Sequence, residues 1–162
     1  VTSRDKILLI SSSHENPDGS VARCERYWTS ARTLVYLKAF TPAGFRLELV
    51  DDFLKPPPET TDAGLVGITA MGLQIARAYR MAEAYRRQGK TVVMGGQWVS
   101  LNPEQALEHC DAIVLGEAEF AWPELVEDFR SGGLRKRIYR SDRLHDWKDL
   151  PRMDLVTLPL FR

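Results

Sequence analysis

Five short apolar runs, separated by amphipathic stretches, limit what this chain can fold into more than any other feature. They are KILLISS (6–12), RLELVD (46–51), LVGITA (65–70), TVVMGG (91–96) and AIVLGE (112–117). Most are almost continuously apolar, as strands covered on both faces must be. Between them lie helical patterns. Tyr27, Ala31, Leu34 and Val35 share one helical face, and that helix should stop near Pro42 and Gly44. Ile75, Ala78, Tyr79, Ala82 and Tyr85 form a second stripe, with Arg86 and Arg87 at its negative end and Gly89 placed to cap it. Asn102 as N-cap, Pro103 in the first turn and Glu104 open a third helix, with Ala106, Leu107 and Cys110 toward the core. Leu125, Val126 and Phe129 mark a last helix, closed by Gly132 and Gly133.

Strand–helix alternation of this kind predicts a mostly parallel sheet with helices on both faces. Short connections select right-handed crossovers and a doubly wound, flavodoxin-like (Rossmann-like) five-stranded α/β order, 2-1-3-4-5. The expected domain spans 1–133. Residues 134–162 read as a small edge strand within RIYRS (137–141) and a linker. In that linker Leu155, Val156, Leu158, Leu160 and Phe161 are suited to pack on something outside this segment.

A chain of 162 residues is long enough for one sizeable core. Its 22 Lys and Arg balance 22 Asp and Glu, which argues against nucleic acid as the main partner, since phosphate binding shows as a basic excess. The basic stretch LRKRIYR (134–140) reads as a solvated face or linker. No apolar run approaches the roughly 20 residues of a membrane span, and the first ten residues lack the pattern of a signal peptide. Cys24 and Cys110 stand far apart, so a reducing cytoplasm is the expected setting. His14, His109 and His145 make no zinc-binding spacing.

In such a sheet, ligands bind outside the carboxyl ends of the strands, where the order reverses. Those ends are SSSHENPDGS after the first strand, ITAMG after the third, GGQW after the fourth and GEAE after the fifth. Ser11, Ser12, Ser13, Thr69, Ala70, Gly72, Gly95, Gly96 and Gly116 make the edge small and leave backbone open to close approach. The first turn lacks the glycines of a nicotinamide site, and no Walker loop is present. A phospho-acceptor domain would carry acidic groups where this chain has serines and Thr69. Ser13 beside His14 does not make a hydrolase triad. A flavin mononucleotide remains open, since a Ser/Thr-rich loop can hold phosphate.

The stretch from Leu65 to Phe129 closely resembles the cobalamin-binding domain found at the N-terminus of many radical S-adenosylmethionine enzymes. The matching pieces are Gly67 to Thr69, the Gly95-Gly96 strand end, Pro103 to Leu107, Gly116 with Glu117 and Glu119, and Pro123 to Leu125. WKDLPRMDLV (147–156) is similar to the linker before the radical barrel in those enzymes. The resemblance implies a corrin ring over the carboxyl edge and a nucleotide tail entering near the fourth and fifth strands. Gly95 and Gly96 would make room for the tail, and Thr69 would offer it a hydroxyl. Ser12, Ser13 and His14 would line the lower corrin face, and Glu117 or Glu119 would meet the ribose or hold the loop. Ala70, Met71, Gly72, Gln97, Trp98 and Gly116 complete the implied cofactor-binding set, with no catalytic residue.

Two departures stand out. The Asp-x-His-x-x-Gly motif that supplies an axial histidine in methionine-synthase-like domains is absent. This leaves His14 as the weak candidate for cobalt or as an ordinary loop residue. Gln97-Trp98 stands where a histidine is common at the second position, so Trp98 either lines the cofactor or shields a helix. The Cys-x-x-x-Cys-x-x-Cys motif of a [4Fe-4S] cluster that binds S-adenosylmethionine is also missing. The implied reading is a cobalamin module whose partner is its own C-terminal radical domain, serving methyl transfer or cyclisation. Its competitors are a cobalamin-free docking relative and a flavin-binding protein.

Overall fold

The computed structural model describes residues 2–24 and 31–143, with residues 146, 148 and 151. Tyr27, His145, most of the expected 147–156 linker and the apolar residues 155–161 lie outside them. Six strands form one sheet, every neighbouring pair parallel: β1 (Lys6–Ser11), β2 (Arg46–Asp51), β3 (Leu65–Thr69), β4 (Thr91–Gly95), β5 (Ala112–Leu115) and β6 (Ile138–Arg140). Their order is β2-β1-β3-β4-β5-β6. The doubly wound class is as the alternation predicts. The expected edge strand is a full partner of β5, so the sheet has six strands rather than five.

Strand burial follows position. The middle strands β1, β3, β4 and β5 are buried on both faces, whereas Arg46 and Glu48 point outward from the edge strand β2. Charge on an outer strand deters edge-to-edge pairing. Successive side chains alternate between faces. Leu8, Ile10, Val66, Ile68, Val92, Met94 and Ile113 pack under α2 (Ile75–Arg87), α3 (Gln97–Leu101) and α4 (Pro103–His109). Ile7, Leu9, Leu65, Val93, Ala112 and Val114 pack under α1 (Arg32–Phe40) and α5 (Ala118–Arg130).

The ends of the helices follow local chemistry. Gly89 adopts φ +74° after α2, and its N–H reaches the Arg86 carbonyl at 2.9 Å. Asn102 precedes α4 as expected, but its side chain does not cap the helix. Instead Nδ2 turns back to the Trp98 carbonyl at 3.3 Å, because α3 ends on the same residue. The short α3 itself is not visible in the sequence pattern: five residues are too few to show a stripe.

β6 is held from within. Tyr139 is fully buried, donates to Asp128 Oδ2 at 2.9 Å and accepts the Arg135 backbone N–H at 3.1 Å. Tyr139→Phe is therefore expected to lower unfolding stability by about 1–3 kcal/mol, since it leaves buried partners unpaired. Urea denaturation checks this, and an unchanged midpoint would mean that β6 is not integral to the sheet.

Candidate functional site

The α1/α5 face of the sheet loses its side chains toward the carboxyl edge. Gly67 in β3, Gly95 in β4 and Gly116 just after β5 fall on this face, and Thr69 pairs in register with Gly95. Above them lies a cavity of about 340 Å³, walled by Leu34, Tyr36 and Leu37 of α1, by Val93 and Val114 of the sheet, and by Ala118 and Trp122 of α5. Such a volume sits at the lower end of the ~300–1,000 Å³ usual for ligand sites. It is far too small for a macrocycle and suits one aromatic base with its sugar. Trp122 forms a wall beside Gly67, where an added Cβ would stand 3.7 Å from the ring and 2.7 Å from Leu9 Cδ2.

The polar groups of the cavity fall into two kinds. Trp122 Nε1 is engaged by Thr41 Oγ1 at 2.9 Å, and the Tyr36 hydroxyl donates to Glu119 Oε1, tying α1 to α5. Burial, then the Glu119 carboxylate, push the Tyr36 phenol well above its ordinary pKa, so it stays a proton donor. Thr69 and Glu117 remain at the rim, with Arg32 and Thr33 at the start of α1.

The two paired glycines separate in role. A Cβ on Gly95 would make only ordinary contact with Val114, at 3.6–3.7 Å. Gly96 has φ +105°, and a Cβ there would lie 2.7 Å from the Ala70 carbonyl and 2.9 Å from Thr69 Oγ1. The chain itself demands glycine at position 96, whatever binds. Only Gly95 is free to report on a ligand.

The remaining sequence candidates lie elsewhere on the crest. Ser12 and Ser13 are completely buried. Ser13 gives both its N–H and its hydroxyl to Asp52 Oδ2 at 3.0 Å, and Ser12 Oγ donates to the Ser13 carbonyl at 2.8 Å. Buried hydroxyls already committed, one to a backbone carbonyl and one to a carboxylate, make a poor phosphate cradle, which removes the basis of the flavin reading. His14 is half-buried, edge-on to Phe53 at 5.7 Å. Ala70 is buried, while Met71, Gly72 and Gln97 are exposed on the crest. Trp98 belongs to the opposite face. Its ring lies 3.4 Å from the position of a Gly72 Cβ, on the side where Tyr79 stacks on His109 at 3.9 Å.

Asp52, which the sequence pattern did not single out, anchors the first-strand loop. Fully buried at the end of β2, it receives Arg23 Nη1 at 2.7 Å and Arg77 Nη2 at 2.9 Å besides Ser13. Burial alone would raise its pKa, but hydrogen bonds from Arg77, Ser13 and Arg23 outweigh that and hold the carboxyl below its ordinary value. Trp122 and Tyr36 were missed because an apolar ring in a helix stripe reads as core.

A doubly wound sheet whose carboxyl edge opens into an apolar slot is the class of domain that the fold and the site define. Comparison with known proteins agrees. The B12 binding domain model matches residues 26–126, and the chain belongs to that family. Bacteriochlorophyllide d C-8(2)-methyltransferase of Chlorobaculum tepidum is 38% identical over 122 residues, covering 75% of this chain and 26% of that protein. The C-12(1)-methyltransferase of the same organism is 32% identical over 88 residues, covering 54% of this chain and 19% of that protein. The chain thus spans about a quarter or less of the length of these relatives. A solved structure of the radical S-adenosylmethionine methyltransferase TsrM from Kitasatospora setae superposes with TM-score 0.63 and 19% identity, covering 81% of this chain and 27% of that one; it shows a shared fold.

Asp52→Asn should cost roughly 3 kcal/mol, since two arginines lose a buried countercharge. The Asp52 contribution is present above the unfolded-state pKa of 3.8 and is lost as pH falls through the lower folded-state value. Wild-type stability should therefore drop more steeply in acid than that of the variant. Denaturant midpoints measured between pH 7 and pH 3 check this, and parallel curves would contradict the assignment.

Proposed function

We propose that this chain binds cobalamin, its nucleotide tail in the α1/α5 cavity and its corrin over the strand crest. One observation carries the reading: Gly67, Gly95 and Gly116 clear a strip that opens a cavity of about 340 Å³. The residues fit the group. Gly95 is a cradle that any Cβ would begin to fill, and Thr69 offers the only side-chain hydroxyl on the β3 and β4 stretches of the rim. Thr69 would hydrogen-bond the sugar or phosphate. Leu34, Leu37, Val114 and Trp122 would surround the base and exclude water. The Tyr36–Glu119 bond would keep the two helices at the spacing that the slot requires.

When bound, cobalamin supplies organocobalt chemistry that no side chain offers, while the protein holds and shields it. The relatives are named as methyltransferases, one of them of radical S-adenosylmethionine type, which supports methyl transfer within a longer chain. In this reading the [4Fe-4S] cluster and S-adenosylmethionine would be held in a C-terminal domain. His14 keeps its place as a candidate for the lower corrin face, and the set Ala70, Met71, Gly72 and Gln97 as corrin contacts.

Protein mixed with hydroxocobalamin and desalted should retain the corrin absorbance. Gly95→Leu should stay folded by circular dichroism and lose at least tenfold in affinity, because its side chain would occupy the slot. No retained corrin band in the wild type, or unchanged affinity in a folded Gly95→Leu, would overturn the reading. A coding sequence continuing beyond Arg162 into a Cys-x-x-x-Cys-x-x-Cys segment would support the larger assignment, and an unrelated domain there would end it.

A further inference from the structure

The depth of the cavity offers nothing to a polar base. Leu34, Leu37, Val93, Val114 and Trp122 wall it. The polar atoms that the helix walls contribute beside them already donate elsewhere: Trp122 Nε1 to Thr41, and the Tyr36 hydroxyl to Glu119. The backbone of β3, β4 and β5 is paired within the sheet. Thr69 and Glu117 stand at the rim, where a sugar or phosphate would lie. A purine pushed into this slot would leave an exocyclic amine and ring nitrogens without partners, and unpaired buried polar groups are costly. A benzimidazole whose outer edge carries only C–H and methyl groups would lose nothing.

We infer that this domain discriminates among cobamides by their lower base, accepting benzimidazoles and rejecting purines, through the apolar lining of the α1/α5 slot. The inference rests on the nucleotide tail entering that slot. Hydrophobic pockets separate ligands weakly by size alone, but a missing hydrogen-bond partner for a buried polar edge separates them strongly.

Isothermal titration with three corrinoids tests it: cobalamin, the adenine-bearing cobamide, and cobinamide, which has no tail. Cobalamin is expected to bind best, with the adenine form weaker by roughly 10- to 100-fold. Equal binding of cobalamin and the adenine form, both above cobinamide, would overturn the selectivity and leave the tail site standing. Equal binding of all three, or of none, would overturn both. Val114→Thr adds a hydroxyl to the wall at almost unchanged volume and should narrow the ratio several-fold. An unaltered ratio in a folded variant would remove Val114 and its wall from the discrimination.

Discussion

The parallel pairing of all six strands is the constraint from which the rest of the molecule follows. It sends every carboxyl end to one edge and forces each connection to cross a face of the sheet as a helix. It also makes register matter across strands. Thr69 lies opposite Gly95, and Val93 opposite Ala112, so small residues set two apart in different strands line up on one face. A slip of one residue in β4 would turn Gly95 to the α2 side and put Met94 into the slot.

The two faces divide the work. On the α2 side, large and small side chains interlock up to the crest, with Trp98 against Gly72 and Tyr79 on His109. On the α1/α5 side, packing is complete near the amino ends, where Leu65 and Phe129 lie, and opens toward the carboxyl ends. An apolar void forfeits dispersion contacts. The well-packed opposite face and the Asp52 cluster offset that cost. Asp52 also couples the two halves of the crest: it joins the end of β2, the loop after β1 and the first turns of α2, and so fixes the lip on which His14 sits.

Much of this was legible without coordinates. The apolar runs gave the strands to within a residue or two, because burial on both faces leaves no other pattern. The glycines at 95, 96 and 116 announced an edge with unusual room. Their separate roles were not legible, since Gly95 and Gly96 differ only in what a Cβ would meet. Ser12 and Ser13 read as open hydroxyls, although both are spent: Ser12 on the Ser13 carbonyl, and Ser13 on Asp52, a partner 39 residues on in the chain. The place of Trp98 was not legible either, since α3, which carries it to the far face, is too short to leave a periodic trace.

The sequence by itself determined the class of sheet, the placement of the helices and the smallness of the ligand edge, because period, helix-breaking residues and lack of a Cβ are local properties. The slot was decided only in the tertiary structure. Its floor comes from three strands brought into register, and its walls from two helices more than 70 residues apart, joined where Tyr36 meets Glu119, 83 residues on. Whether a glycine leaves a turn or a cavity depends on what stands opposite, and distant parts of the chain supply that.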